Sequence, residues 1–399
     1  MKTNPDSVDT VVAEKTLGRG TNQGGMREAN ERVVLTVLRR NPSIIKAEIA
    51  RTTGLSAQTV ARLVGALEDE GLVLRGKPNR GRGGQPSIPL SLNPDGAVFL
   101  GMKVGRRSVE MIAIDFLGKV LDREKHLYGY PIFDEVLDFA LKATKDIRGR
   151  LPNTMLNRVS GLGVAMPFHL WSWAQHIGVE ASMMADWEKR DLEEEIADAV
   201  DLPVFLQNDA TAACSAEMVF GDAPLSANSL YFYIAFFIGG GLILNHSLFV
   251  GATGNAAGLG PLTVADQDGR ARPLIELASL SVLESRLAAA QCDTQKMWTD
   301  PDAWDFPSDL IETWCSECSQ AIASAVRSAQ SLLDLGSIII DGWLPRDVLQ
   351  RISRGVLDEF KNLEREGIVT PNIMPGTIGK DARTIGAASL PLCHRYLMI

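Results

Sequence analysis

The sequence predicts an α/β protein in two parts, a small helical head and a large body of strands and helices. Residues 1 to 90 carry 14 Lys and Arg against 9 Asp and Glu, whereas residues 91 to 399 carry 26 against 40, so a basic head precedes an acidic body. Apolar residues recur at helical spacing between Val33 and Leu67, then switch to alternating and continuous runs from Ala97 onward. At 399 residues the chain also exceeds the roughly 250 to 300 residues that one hydrophobic core serves.

Composition narrows the class. With 45% apolar and 22% charged residues the chain reads as globular, neither disordered nor fibrous. The apolar run Leu230 to Leu244 is 15 residues long, short of the roughly 20 that cross a bilayer. The start, "MKTNPDSVDTVVAEK", has early charges and no apolar stretch, so a cytoplasmic location with no membrane partner is expected. Five scattered cysteines suggest no disulfide framework; Cys315 and Cys318 form a CxxC, but within an amphipathic pattern that places both on one helix face.

A polar tail is expected over 1–25 and a DNA-binding domain over 26–95. Val33, Val34, Val37 and Leu38 mark a first helix ending at Asn41-Pro42. Ile45 and Ile49 mark a second, with Gly54 as its left-handed stop. Ser56 then caps a third, whose stripe of Val60, Leu63, Val64 and Leu67 faces a core and whose C′ position is Gly71. Three helices with tight turns predict a helix-turn-helix. Opposite the stripe lie Gln58 and Arg62, side chains that bond adenine and guanine edges bidentately, with Ser56 and Thr59 near the helix start to meet phosphate. A three-helix packing module with a solvated polar face is the plainer alternative.

The next segment favours DNA. "LVLRGKPNRGRGGQPSIPLSLNP" predicts strands over 72–75 and 87–92 joined by a basic, glycine-rich tip, which is a wing. Arg80 and Arg82 on that tip can enter a minor groove or touch only phosphates. Double-stranded DNA is therefore the expected partner, contacted by Ser56, Gln58, Thr59, Arg62, Arg80 and Arg82.

The body begins with "AVFLGMKVGRRSVEMIAIDFLGKVLDREKHLY", three antiparallel strands turning near Gly105 and at Leu117-Gly118. Further strands, "VSGLGVAMP" and "LPVFLQND", alternate with helical patterns. The run "YFYIAFFIGGGLILN" ends in three glycines, a pattern that often closes around phosphate.

Wing, strand triplet, "PVFLQNDATAACSAE", "IGGGLILN", "GNAAGLG" and "DGWLP…IGAASLPL" together resemble the ROK family of repressors, open reading frames and sugar kinases, from about Met26 to Leu392. The resemblance implies a winged helix-turn-helix followed, over 96–399, by a two-lobed, actin-like (ribonuclease H-like) sugar-kinase domain. It also implies a homodimer or homotetramer, an inverted-repeat operator and a carbohydrate effector.

Set against the family's kinase motifs, several positions differ. Lys103 stands where an Asp would handle Mg²⁺, and a protonated amine has only donors to offer. Phe236 and Phe237 stand in the second phosphate turn. The family's sugar-binding Glu and zinc-loop residues are absent from "AGLGPL" and "QDGRARPLIELAS", Glu276 being one position out of register. No enzymatic activity, cofactor or metal is therefore expected. Asn208-Asp209 persists; the family implies sugar hydroxyls as its ligand, while capping of the following helix by Asp209 is equally consistent with the sequence. His169, Trp171 and Trp173 in "AMPFHLWSWAQHIG" complete the expected ligand set, with core packing as the alternative fate of both tryptophans.

The expected function is a DNA-binding transcriptional regulator, a repressor, of carbohydrate genes with an inactive kinase-like sensor. A bifunctional sugar kinase that also binds DNA, and a constitutive regulator without ligand sensing, remain open.

Overall fold

The computed structural model describes residues 23–78, 87–174, 178–363 and 366–398. The chain divides into two compact units, one running to Leu92 and including Tyr396–Met398, the other spanning Asn93–Arg395.

In the first unit, helices α1 (Gln23–Arg40), α2 (Lys46–Thr53) and α3 (Ala57–Asp69) are followed by the antiparallel pair β1 (Val73–Arg75) and β2 (Leu90–Leu92). Val34, Leu38, Ile49, Val60, Leu63, Val64 and Leu67 form its buried face, as their spacing requires. Gly54 closes α2 at φ 72°, donating its N–H to the Ala50 carbonyl, and the Ser56 hydroxyl caps α3 by accepting from the Thr59 N–H at 3.1 Å. The second wing strand is shorter than the expected 87–92. Pro89 has no N–H for the ladder; its carbonyl accepts from the Gly76 N–H at 2.8 Å and pairing begins one residue later. The C-terminal segment belongs to this unit: the Arg32 Nε–H donates to the Leu397 carbonyl at 2.8 Å, and the Met398 N–H donates to the Thr36 hydroxyl at 2.9 Å.

The second unit contains two five-stranded sheets. In the first, β3 (Val98–Val104), β4 (Ser108–Ile114) and β5 (Val120–Leu127) are antiparallel, and β6 (Val159–Met166) and β7 (Val204–Asn208) continue parallel to β3, giving the order β5-β4-β3-β6-β7. Helices α4 (Phe133–Arg150) and α5 (Leu192–Ala199) cover it, and α6 (Asp209–Phe220) leaves β7 toward the second sheet. There β8 (Ser229–Ile234), β9 (Gly239–Leu244) and β10 (Ser247–Phe249) form the antiparallel triplet, while β13 (Ser337–Gly342) and β14 (Asn372–Pro375) run parallel to β8, in the order β10-β9-β8-β13-β14. The small hairpin β11 (Thr263–Ala265) and β12 (Ala271–Pro273) and helices α7 (Leu280–Ala289), α8 (Ser308–Leu333) and α9 (Arg346–Asn362) complete that half. Helix α10 (Ala382–Tyr396) ends the chain.

The two sheets thus repeat one topology, and each has its own core. Val98, Leu100, Val164, Phe133 and Trp187 belong to one cluster; Phe232, Trp314, Ile322, Ile340 and Val356 belong to the other. Helix α6 touches both sheets, and α10 packs on α6 and on β6 through seams that require small residues. A Cβ on Gly386 would overlap the Ala212 carbonyl, and one on Gly163 the Ala387 carbonyl. Cys315 and Cys318 are buried together on one face of α8, where burial pushes both thiols up from their ordinary range.

Candidate functional site

On the DNA-binding unit, α3 buries its apolar stripe and leaves Ser56, Gln58 and Arg62 exposed, with Thr59 half-buried. The Ser56 and Thr59 hydroxyls lie 2.8 Å apart at the helix start, so the two polar groups hold one another. Arg80 and Arg82 lie outside the described residues.

In the second unit a cavity of about 210 Å³ opens where strand ends of both sheets converge. Asn208 and Asp209 line it from the β7–α6 junction, Arg106 from the β3–β4 turn, Phe236 and Phe237 from the β8–β9 turn, and Arg383 from the first turn of α10. Asn208, not Asp209, caps α6: its side-chain oxygen accepts from the Ala210 and Thr211 N–H groups at 3.0 and 3.3 Å. A cap must stand outside the helix with its oxygen aimed at the first free N–H groups, and Asp209 is already the first helical residue. The carboxylate of Asp209 is thereby freed to face the cavity, where Oδ2 accepts from Arg383 at 3.2 Å. Both side chains of this pair are mostly buried. The Arg383 guanidinium also lies 5.4 Å from the Tyr233 ring centroid.

The three glycines after Phe237 do not make an open phosphate loop. Gly239, Gly240 and Gly241 begin β9, where a Cβ would strike Ala210, Leu259 and Cys214 in turn, so their smallness serves strand and helix packing. Phe236 and Phe237 pack on each other at 4.6 Å between centroids, and the Arg106 guanidinium lies 4.5 Å from the Phe236 centroid. The turn presents aromatic faces to the cavity.

His169 and Trp171 do not line this cavity. They sit at the wall of a neighbouring one, bounded by Trp187, Arg190 and Leu206 and sharing only Phe168 and Asn255 with the first. His169 takes a left-handed conformation, φ 59°, and meets Trp171 edge-on at 4.8 Å, while Trp171 also packs on the first sheet's core. The side chain of Trp173 is outside the described set. Glu276 is engaged elsewhere, pairing at 2.7 Å with Arg272 of β12, four residues earlier. Among the described residues no three His, Cys, Asp or Glu side chains cluster as metal ligands, and no helix is long and apolar enough to cross a membrane.

Apart from Lys103, sequence reasoning missed the basic residues near Asp209. Lys103, Arg106, Arg107, Lys125 and Arg383 surround a second, smaller cavity of about 60 Å³ that shares Gly105, Arg106, Phe236 and Arg383 with the first. Lys103 is almost fully buried, and burial together with the Arg383 charge lowers its amine to about 8. Its carboxylate partner Glu110, at 3.4 Å, is shared with Arg123. "GRR" immediately after β3 was the available signal; Arg383, 174 residues from Asp209, gave none.

Comparison with known proteins agrees with this architecture. Residues 99–392 match the ROK family and residues 27–73 a winged helix-turn-helix DNA-binding family. An uncharacterised protein of Sinorhizobium fredii is 28% identical over 92% of this chain and 91% of its own length. The xylose repressor of Caldicellulosiruptor bescii is 24% identical over 78% and 79%, and that of Bacillus spizizenii 26% identical over 60% and 61%. Among solved structures, a ROK family transcriptional regulator homologous to the Escherichia coli MLC protein superposes with a TM-score of 0.66 at 20% identity, covering 93% of this chain and 97% of that one. A ROK glucokinase from Streptomyces griseus gives 0.56 at 19%, covering 74% and 99%. With its two repeated sheets, the cavity between them and a winged helix-turn-helix at its head, the chain belongs to the ROK family.

Proposed function

We propose that this chain is a DNA-binding transcriptional repressor whose ROK domain senses a carbohydrate and transfers no phosphoryl group. The observation that carries the reading is the pairing of an exposed Gln58/Arg62 helix face with a cavity that keeps Asn208-Asp209 but fills the phosphate turn with Phe236 and Phe237. Relatives that bear the name xylose repressor support it.

In this reading Ser56, Gln58, Thr59 and Arg62 enter a major groove, with Arg80 and Arg82 at the minor groove, and a homodimer or homotetramer meets an inverted repeat. Asp209 accepts sugar hydroxyls in place of Arg383, and Asn208, whose oxygen is committed to capping, offers its amide nitrogen. His169 and Trp171 act at the neighbouring cavity as an outer wall for a longer ligand, and Trp173 is proposed to join them in binding it. With Lys103 in place of an Mg²⁺-binding carboxylate, the fold retains a sugar site without a donor site. A ligand changes operator affinity only through different affinities for the two arrangements of the protein, and a coupling of about 1 to 3 kcal/mol is typical.

The test is operator binding by the full chain against a panel of sugars, with Asp209→Asn beside the wild type. Release or tightening by one sugar, lost in Asp209→Asn, is expected. Operator binding indifferent to every sugar would leave a constitutive regulator instead.

A further inference from the structure

The cavity bounded by Trp171 and Trp187 is larger than a single sugar at Asp209 would use. It measures about 420 Å³, against about 210 Å³ for the cavity at Asp209, and the two meet at Phe168 and Asn255. At about 10 to 15 Å³ for each water-sized group, the Asp209 cavity takes about one pyranose ring and leaves its neighbour to solvent. Strand β7 runs beneath both: Asn208 lines the first cavity and Leu206 the second, on one face of the strand and about 7 Å apart. A chain of sugars leaving Asn208 therefore reaches Leu206 within one ring.

The lining of this neighbouring cavity joins flat apolar faces to free polar groups. The Trp187 indole is fixed by donating its N–H to the Pro131 carbonyl at 2.9 Å and by an edge contact with Phe133 at 5.0 Å. The half-buried Trp171 is braced by the His169 ring, which its left-handed backbone, an uncommon conformation for a residue with a side chain, sets edge-on to the indole. Rigid indole faces match the C–H face of a pyranose, whose hydroxyls then point outward to the rim. There the His169 ring, the Thr253 hydroxyl and the Asn255 side-chain amide have no hydrogen-bond partner among the described residues. The half-buried Glu193 carboxylate accepts from the Leu206 N–H, burial pushes it up from its ordinary range, and its remaining lone pairs can take hydroxyl donors.

The charges exclude an anionic occupant. Arg190 is the one Arg or Lys lining the cavity among the described residues, and its guanidinium is taken by Glu195 at 2.8 and 2.6 Å and by Asp134 at 2.6 Å. Asp191, the other acidic group of the wall besides Glu193, caps α5 by accepting from the Glu193 and Glu194 N–H groups. A neutral, hydroxyl-rich group with one apolar face answers the whole lining.

We propose that this cavity is a second saccharide subsite, and that the effector is a short neutral oligosaccharide rather than a monosaccharide. One residue occupies the Asn208-Asp209 cavity, and the next stacks on Trp171 with its hydroxyls at Glu193, Thr253 and Asn255. The proposal rests on the sensing function assigned above and deepens it.

The experiment is calorimetry and operator binding with the full chain, using glucose, xylose, mannose and galactose beside the disaccharides and trisaccharides built from them in α and β linkage, and their phenyl glycosides. At least one disaccharide should bind more tightly than its parent monosaccharide by about tenfold or more, the scale of one aromatic contact, and act on the operator at correspondingly lower concentration. Glu193→Ala, in the first turn of α5, and Trp171→Ala should each erase most of that gain while leaving monosaccharide binding at Asp209 unchanged. Trp171→Phe, which keeps a flat ring against the core, should retain part of it and serves where Trp171→Ala does not fold. If a monosaccharide binds and acts while no longer saccharide binds better, or if the gain survives both substitutions, the second subsite is refuted and the sensing function stands. A phenyl glycoside that gains as much as any disaccharide, and keeps its gain in Glu193→Ala, would make the occupant an apolar aglycone and refute the saccharide. If saccharides of every length fail to bind, the sensing function falls as well.

Discussion

The Arg106 guanidinium rests 4.5 Å from the centre of the Phe236 ring, and the two residues occupy equivalent turns of the two repeated sheets. Arg106 follows β3 and Phe236 follows β8, each the strand from which its sheet turns antiparallel on one side and parallel on the other. Here one is cationic and the other aromatic, and a cation–π contact joins them.

Phosphoryl transfer should be absent. The full chain with ATP, Mg²⁺ and hexoses, amino sugars or pentoses is expected to match a no-enzyme control in a coupled assay. Turnover that disappears in Asp209→Asn would establish the bifunctional kinase instead.

Removing one partner of the buried Asp209–Arg383 pair leaves the other uncompensated, at a cost of about 3 kcal/mol. Asp209→Ala should therefore lower the denaturation midpoint of the ROK domain, and adding Arg383→Met should restore much of the loss. Asp209→Asn, which keeps an oxygen for Arg383, should cost far less. Additive losses in the double variant would mean that the two side chains do not act as a pair.

Lys103 gives a pH signature. Its amine is held near 8 in the folded protein against an ordinary value of 10.5, so folding disfavours its protonated form. A base with a lowered value contributes stability that is present above pH 10.5 and lost as pH falls through 8. Lys103→Met should therefore stabilise the unliganded protein at pH 7, on the order of 3 kcal/mol, with the gain vanishing as pH rises toward 10. Thermal unfolding of both proteins from pH 6 to 10 measures it; a gain independent of pH would contradict the sign.

Much of the fold was legible in the sequence because its elements are locally encoded. Gly54, Ser56 and the stripe from Val60 to Leu67 dictate α2 and α3 through backbone conformation and periodicity alone. The exact repeat of strand order was not, since pairing β8 with β13 joins residues about a hundred positions apart. The candidate site divides the same way. Asn208-Asp209 could be picked out at a strand end, but Arg383 reaches Asp209 only through tertiary packing, and the aromatic residues at 169 and 171 turned toward a different cavity.

DNA readout should separate by residue. Arg62→Ala is expected to cost about 1 to 3 kcal/mol of operator affinity and to relax base preference, whereas Arg82→Ala should weaken binding most at A·T-rich flanks. Fluorescence anisotropy on operator variants distinguishes these; uniform losses for both would mean phosphate contact only.

Leu397 is 1% exposed, and its carbonyl accepts from Arg32 in α1. Leu397→Ala should cost about 2 to 4 kcal/mol of stability in the DNA-binding unit. The loss should appear as weakened operator affinity near 37 °C with unchanged binding at low temperature.

Where α10 crosses α6, Gly386 lies against the backbone of Ala212, and Ala387 meets Ala212 and Ala165. The two backbones touch at that crossing, and the Asp209–Arg383 ion pair on one side and the Ser215–Ser389 hydroxyl pair at 2.9 Å on the other rivet the same two helices together. One branched side chain at 386 would act as a wedge, prising α10 from α6 and pulling both rivets open.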